Sequence, residues 1–303
     1  MSMPARSPRI TIALPVYNGA ETLEAVIESV LGQTFTDLEL LLSDNASTDG
    51  TEEVCRRYAR ADERVVYHRQ PENVGLLNNF RSAAQQARGT YVRWIGDDDS
   101  LQPDYLSRVL HVFAEDERTV LVTTQIVYVD GDGVEATPAD YEPVAMSSAD
   151  PVERFAEILW VMTNGFATLD PLYATMRREL AVLPRRNMLR EDEVYASRLA
   201  LAGPWGHVAA PLALRRRSEV RAADVATLLG VPSWHRHAKD VLQCRELLHW
   251  IARSSLAPAQ RRRARAEVVR LYSHRKTNAG RRGVAKLERR AGRSVLLAAN
   301  REP

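Results

Sequence analysis

The chain has 303 residues, of which 45% are hydrophobic and 26% charged, a composition typical of a folded globular protein rather than a disordered one. It holds no run of about 18 apolar residues, which argues against a transmembrane helix. Its two cysteines give neither a disulfide framework nor a metal-ligand spacing. The basic N-terminus leads directly into a strand-like segment, so we expect no signal peptide and a cytoplasmic protein.

Charge is unevenly distributed along the chain. From His235 to the end there are 18 Lys and Arg against 5 Asp and Glu, whereas the first 234 residues hold 23 basic and 34 acidic residues. An acidic body followed by a basic segment indicates two parts with different organisation.

The first half of the chain alternates between short apolar runs and segments with apolar residues at helical spacing. The apolar runs predict strands at residues 9–14, 38–42, 65–68, 90–95 and 120–129. The segments between them predict helices at residues 21–31, 51–59, 78–87 and 103–113. This alternation with short links predicts an α/β fold with a mostly parallel sheet flanked by helices.

The second half has a different pattern. A polar stretch at 130–150 predicts a loop, and residues 206–216 predict short strands with a break at Pro211. Helices are predicted at residues 151–161, 192–201, 238–251, 259–272 and 284–298. We therefore expect an α/β domain over 1–216 and a helical, basic C-terminal extension over 217–303.

Three polar clusters fall directly after predicted strands. They are Pro15-Val16-Tyr17-Asn18, the segment 43–50 (SDNASTDG), and Gly96-Asp97-Asp98-Asp99. Ligands of a doubly wound sheet bind beyond the carboxyl ends of its strands, so we expect the three clusters to form one site.

The three consecutive aspartates favour a cation. Carboxylates this close raise one another's pKa unless a positive charge neutralises them. Oxygen donors suit Mg²⁺ or Mn²⁺, typically with a phosphate that completes the coordination. The competing interpretation is that DDDS and SDNASTDGT only begin the helices that follow them.

Together these residues resemble glycosyltransferase family 2, the inverting enzymes with the GT-A fold, a Rossmann-like sheet. The matching segments are ALPVYNG (13–19), VLGQTFTDLELLLSDNASTDGT (30–51), ENVGLLNNF (72–80) and ARGTYVRWIGDDDSLQPDYL (87–106). A weaker match is REDEVYASRLALAG (190–203). The resemblance covers about residues 9–216. It implies a nucleotide-sugar half over about 1–130 and an acceptor half over about 131–216.

The resemblance also implies roles for individual residues. Those on the nucleotide-sugar side would line the base pocket, hold the base or lie near the ribose: Pro15, Val16, Tyr17, Asn18, Asp44, Asn45 and Asp97. Asp98 would bind Mg²⁺ or Mn²⁺, with Asp99 beside it. Two departures stand out: Asn45 replaces the usual second acid, and Gly96 stands where the first acid of the DXD metal motif would fall.

Inversion needs a base that takes the acceptor's proton on the face opposite the leaving group. The resemblance places Asp192 in that role and Glu191 in contact with the acceptor. The competing interpretation makes Asp192 the N-cap of its helix.

The implied activity is transfer of a sugar from a nucleoside diphosphate sugar, with UDP favoured, to a glycan, lipid-linked or small-molecule acceptor. One alternative is a nucleotidyltransferase, but the glycine-rich, lysine-bearing signature of that class is missing. The other is a non-catalytic nucleotide-sugar-binding protein, which would be expected to lose the triad or Asp192, and this sequence has both.

The basic segment would either pack as helices with a solvated face or contact an anionic membrane at its inner face. We expect no nucleic acid partner, since no stacking aromatics accompany the arginines, and homo-oligomerisation stays open.

Overall fold

The computed structural model describes residues 7–129, 135–136, 143–164, 170–216 and 222–277. Its strands, in chain order, are β1 (Ile10–Val16), β2 (Leu38–Asp44), β3 (Val65–Arg69), β4 (Tyr91–Trp94), β5 (Ser100–Leu101), β6 (Leu121–Val129), β7 (Glu135–Ala136), β8 (Thr175–Arg177) and β9 (Trp205–Arg216). Its helices are α1 (Leu23–Leu31), α2 (Thr51–Ala61), α3 (Leu76–Gln86), α4 (Tyr105–Glu115), α5 (Pro151–Asn164), α6 (Arg178–Ala181), α7 (Glu191–Ala202), α8 (Ala222–Leu228), α9 (His235–Arg253) and α10 at 258–277.

Within the described residues the strands form one sheet in the order β3-β2-β1-β4-β8-β6-β9-β5, with β7 paired to β6. The strands β3, β2, β1 and β4 run parallel to one another. The short β8 lies between β4 and β6 and pairs antiparallel with both. The long pair β6 and β9 is again parallel. The predicted α/β fold with a mostly parallel sheet is thus confirmed.

The core lies on both faces of the sheet because neighbouring residues of a strand point to opposite sides. In β1, Ile12 and Leu14 pack on the face covered by α1 and α4, whereas Ala13 joins the face covered by α3, α5 and α7. Every residue of β1 and β2 is buried. Strands covered on both faces are continuous apolar runs, which is why the sequence predicts them well.

The prediction for residues 206–216 was wrong in one respect: β9 is a single strand of 12 residues. Its pairing with β6 shifts register between Thr124 and Gln125 and again between Gln125 and Ile126, opposite Pro211. A proline has no N–H to donate to the neighbouring strand. The irregularity accommodates Pro211 as a β-bulge, and the strand continues beyond it.

The chain divides into two compact units, residues 1–239 and 240–303. In the second unit one buried apolar side runs along both helices and includes Leu247, Ile251, Val268 and Leu271. The helices predicted at 238–251 and 259–272 are therefore present, whereas the one predicted at 284–298 lies outside the described residues. The proposed domain boundary at residue 216 stays a prediction. Among the described helices, none combines the length and apolar character that crossing a bilayer requires.

Candidate active site

The loops after β1 and β2 are tied together by their own polar groups. The strands pair in register up to Val16 and Asp44, and Asn45 N–H donates to the Val16 carbonyl over 2.9 Å. Asn18 has a φ of 55°, a left-handed conformation that asparagine tolerates. Its N–H donates to Ser47 Oγ over 2.9 Å, and its Oδ1 accepts from Thr48 N–H over 2.8 Å. The first two clusters therefore form one surface.

Pro15 and Val16 are buried at the end of β1, and Tyr17 follows them with 47% of its surface exposed. An exposed aromatic ring directly beyond the carboxyl end of a central strand offers a flat apolar face to a ligand. This arrangement is compatible with the predicted base pocket.

Asp44 is completely buried yet strongly hydrogen-bonded. Its Oδ1 accepts from Ser47 N–H over 2.8 Å, and its Oδ2 accepts from Tyr67 Oη over 2.8 Å and from Arg69 Nη1 over 2.5 Å. Burial alone would raise the pKa of Asp44, but the hydrogen bonds from Ser47, Tyr67 and Arg69 outweigh it and lower the pKa below its ordinary value. Asp44 is thus held as an anion with fixed orientation.

The Asn45 amide connects its loop to the segment before α3. Its Nδ2 donates to Asn73 Oδ1 over 2.9 Å, and its Oδ1 accepts from Val74 N–H over 2.9 Å. An aspartate could not make the first of these bonds, because a carboxylate only accepts. The departure from the usual second acid therefore has a structural consequence, while the predicted contact with a base stays a prediction.

The aspartate triad follows β4 and bends back towards the end of β1. A Cβ built on Gly19 would lie only 2.7 Å from Asp97 Oδ2, so the Asp97 carboxylate covers the glycine of the first cluster. Burial, together with Asp98 and then Asp99, raises the pKa of Asp97 to about 6. All three sequence clusters thus meet at one edge of the sheet, as predicted from their positions.

Asp99 is buried and already has partners. Its Oδ2 accepts from Gly96 N–H over 3.1 Å and lies 3.4 Å from Arg215 Nε at the end of β9. Arg215 also pairs with Asp170 and stacks 3.8 Å from the centre of the Tyr173 ring. The Arg215 guanidinium therefore connects the aspartate triad to Asp170, which lies outside the three sequence clusters.

Asp192 shares a cavity of about 420 Å³ with Asp170, Tyr173 and Arg215. Although its side chain reaches solvent, it stands in this concave surface close to Glu193, Glu191 and Asp170. Burial in the cavity, followed by these like charges, raises the pKa of Asp192 to about 6. A carboxylate with such a pKa is ionised at neutral pH and accepts protons more readily than an ordinary aspartate.

The start of α7 bears on the alternative interpretation of Asp192. The N-cap is Arg190, which has a φ of 66°, and α7 begins at Glu191. Asp192 is consequently the second residue of the helix and not its N-cap, while its role as the base stays a prediction.

Glu191 is buried, and both of its carboxylate oxygens accept from Arg185. The Arg185 guanidinium in turn lies 4.5 Å from the centre of the Tyr195 ring. The predicted contact of Glu191 with an acceptor stays a prediction. The geometry shows a bidentate pair that fixes the start of α7 and hence the position of Asp192.

The sequence reasoning missed the side chains that hold the acids in place: Tyr67, Arg69, Asp170, Tyr173 and Arg215. The only local signal was that Arg69 ends β3 and Arg215 lies near the end of β9, the same kind of position as the recognised clusters. Their partners are 25 and 45 residues away, so no spacing rule reveals the pairs.

The carboxylates fit a metal site only with help from a ligand. Among the described residues, no three His, Cys, Asp or Glu side chains are arranged to hold a metal ion together. Asp98 is half-buried beside Asp97, and the Oδ2 of Asp99 is engaged by Arg215. One or two carboxylates, with phosphate oxygens and water, form the usual donor set of Mg²⁺ in nucleotide sites.

Comparison with known proteins gives one family. The sequence profile described as "Glycosyl transferase family 2" matches residues 11–170. The chondroitin synthase of Pasteurella multocida is 33% identical over 128 residues, which are 42% of this chain and 13% of that protein. The chain thus corresponds to a small part of this relative.

Two solved structures share the fold. TarS 1–349 of S. aureus in complex with UDP-GlcNAc has a TM-score of 0.65 at 16% identity, over 87% of this chain and 72% of that one. The mannosyltransferase PcManGT from Pyrobaculum calidifontis, in complex with GDP-Man and Mn²⁺, has a TM-score of 0.52 at 18% identity, over 96% and 81%. At these identities the likeness concerns the fold alone.

Proposed function

The chain belongs to glycosyl transferase family 2, and we propose that it moves a sugar from a nucleoside diphosphate sugar, with UDP as the favoured nucleotide, to an acceptor hydroxyl with inversion. The observation that carries the proposal is the meeting of Asp44, Asp97 and Asp98 at one sheet edge, connected through Asp99 and Arg215 to the cavity that contains Asp192. Arg215 then connects the donor side, through Asp99, with the cavity that contains the proposed proton acceptor.

On the donor side, Asp44 and Asn45 would hold the base, with Pro15, Val16, Tyr17 and Asn18 around it. Asp44 is anionic and fixed but has no exposed surface, so it would accept the N–H of a uracil ring where the base displaces one of its present hydrogen-bond donors. Asp97 would lie near the ribose, where its raised pKa favours hydrogen bonding to a hydroxyl.

Asp98 would hold a divalent cation, with Asp99 contributing through the oxygen that Arg215 does not engage. The ion would supply positive charge against the diphosphate leaving group, whose negative charge grows as the glycosidic bond breaks. The solved mannosyltransferase structure in complex with GDP-Man and Mn²⁺ shares the fold, which supports this role.

On the acceptor side, Asp192 would take the proton of the attacking hydroxyl, and the pair of Arg185 with Glu191 would keep the start of α7 in place. The acceptor oxygen would attack the anomeric carbon as the bond to the diphosphate breaks, in a single displacement. The acceptor itself is a glycan, lipid-linked or small-molecule hydroxyl.

The basic C-terminal segment supports a second, independent proposal, peripheral contact with an anionic membrane. Arg262, Arg263, Arg265 and Arg270 are exposed on α10. Arginines near an anionic surface gain attraction that salt screens. Flotation with anionic liposomes, lost at high salt, would support it, and equal flotation with neutral liposomes would contradict it.

A direct test of the transferase proposal is to incubate the protein with several nucleotide sugars and Mn²⁺ and to follow release of the nucleoside diphosphate. We expect slow hydrolysis with one donor and faster release when its acceptor is added. Binding of a nucleotide sugar without any turnover would instead favour a non-catalytic binding protein. Release of pyrophosphate from a nucleoside triphosphate and a sugar phosphate would favour a nucleotidyltransferase.

A further inference from the structure

A second cavity, of about 210 Å³, shares Asp192 and Tyr173 with the cavity that contains Arg215. Leu77 and Phe80 of α3 form one part of its wall, and Leu229, directly after α8, forms another. These side chains are apolar, so the Asp192 carboxylate stands between a charged cavity and an apolar one.

The charged residues in the wall of the apolar cavity are already paired. Arg185 makes its bidentate contact with Glu191, and Arg190 Nη1 lies 2.5 Å from Glu193 Oε1. Among the described residues of the wall, each arginine thus has a carboxylate partner, and Asp192 adds a negative charge. The two arginines and two carboxylates of the wall cancel in charge, so it holds no net positive charge to attract an anion, although Arg185 Nη1 is buried there without a hydrogen-bond partner among the described residues. The rest of the lining is mainly apolar and suits an uncharged apolar group.

We propose that this cavity binds an apolar group, alkyl or aryl, which the acceptor carries next to its reacting hydroxyl; this rests on the proposed role of Asp192. A hydroxyl that donates its proton to Asp192 lies where the two cavities meet, so the atoms attached to it extend into one of them. At about 30 Å³ per water-sized group, 210 Å³ holds roughly seven heavy atoms, which suits a phenyl ring or a short alkyl chain.

One feature indicates that the cavity is open to a ligand. Leu76, at the start of α3, lines it with 45% of its surface exposed, so a ligand could cover apolar surface that now meets water. The opposite wall is formed by Val225 and Leu229, which lie beyond residues 11–170, the part that the family profile matches.

The test compares glycosides that differ only in the aglycone. Methyl, phenyl and octyl β-glucoside, the last below its micelle concentration, are titrated by ligand-observed NMR in the presence of UDP and Mn²⁺. We expect the phenyl and octyl glucosides to bind at least tenfold more tightly than the methyl glucoside, because each buried methylene adds roughly a factor of four. Equal affinities, or no binding of any of the three, would overturn the proposal.

Substitutions in the cavity wall test where the aglycone binds. Leu229→Asn puts an amide into the wall and should abolish the preference for the apolar aglycone. Leu228→Asn is the matched control: its side chain is 52% exposed and does not line the cavity, so the preference should persist. Leu76→Asn provides a second lining variant at a half-exposed position that tolerates an amide. A preference unchanged in both lining variants would overturn the proposal.

UDP affinity, measured on the unmodified protein, separates this inference from the transferase proposal. If neither UDP nor another nucleoside diphosphate binds but the apolar preference is present and sensitive to Leu229→Asn, the transferase proposal fails and the cavity still binds an apolar group. If UDP binds but the preference is missing, only the cavity assignment fails.

Discussion

On the donor side of the site, Asp44 ends a strand of the parallel half and the aspartate triad follows another. On the acceptor side, Asp192, Asp170 and Arg215 come from three separate segments. Asp44 is fixed mainly by neighbours in its own loop and the adjacent strand. Asp170 and Arg215 are 45 residues apart and meet only through the tertiary fold. The donor side is therefore visible in the sequence as motifs, and the acceptor side only as scattered residues.

The comparison predicts that sugar transfer is lost when the proposed cation ligand of the donor side is removed. We expect Asp98→Ala to abolish transfer and to weaken UDP binding in the presence of Mn²⁺, because diphosphate and bare carboxylates repel one another. Calorimetry with and without Mn²⁺ measures the effect. Asp116→Ala, an exposed aspartate paired with Arg118, is the control and should change neither quantity. Equal UDP affinity with and without metal in the wild type would contradict the prediction.

On the acceptor side we expect Asp192→Asn to lower transfer by on the order of 10²–10⁴, the usual contribution of a positioned general base. The amide keeps the shape but accepts no proton, so UDP affinity should stay close to that of the wild type. Steady-state rates on the true acceptor, together with UDP titration, test both statements. A variant with near-normal turnover would show that another group is the base.

The raised pKa of Asp192 predicts a pH dependence of activity and stability. Below a pH of about 6 the base is protonated, so kcat should fall about tenfold per pH unit. The folded state binds this proton more tightly than the unfolded state, so ionisation of Asp192 lowers stability as pH rises from about 4 to about 6.

Asp192→Asn should therefore have a higher thermal midpoint than the wild type at pH 8. The difference should disappear near pH 3, where Asp192 is protonated in both states. A difference of the same size at both pH values would contradict the assigned pKa.

The smallest effect is expected at Arg69, which acts on a ligand through Asp44. Arg69→Met leaves the buried Asp44 carboxylate without its cation, and we expect UDP binding to weaken about tenfold, the lower end for one hydrogen bond to a charged group. Arg57→Met is the control, because Arg57 pairs with the exposed Glu24 and such pairs contribute little. Equal effects of the two substitutions on UDP affinity would show that Arg69 does not hold the donor side.

Much of the fold could be predicted because buried parallel strands and amphipathic helices carry strong periodic signals. β1, β2 and α4 lie within two or three residues of their predicted bounds. β5, β7 and β8 were missed, since strands of two and three residues are too short to show a period, and β7 lies in the stretch predicted as a loop. The small helices α6 and α8 were missed for the same reason.

The candidate site, like the fold, could be predicted from the sequence only in part. The sequence predicts that the three clusters meet, because strand ends of a parallel sheet share an edge. It does not predict that Asn45 binds Asn73, that Glu191 is engaged by Arg185, or that Asp99 faces Arg215. Each of these depends on the path of a distant segment, and no local pattern records it.

The bulge at Pro211 has a consequence for how the chain tolerates insertions and deletions. Beyond the bulge, Arg215 is half-buried towards Asp99 and Asp170, and the next residue, Arg216, is exposed. Side chains of a strand alternate between faces, so a one-residue slip of β9 along β6 would exchange these two positions. Because Leu214 and Arg216 flank Arg215, a slip in one direction would still bring a guanidinium to the two carboxylates, and a slip in the other would bring Leu214. An insertion or deletion beyond the bulge that moved the strand the second way would therefore leave Asp99 and Asp170 without their cation.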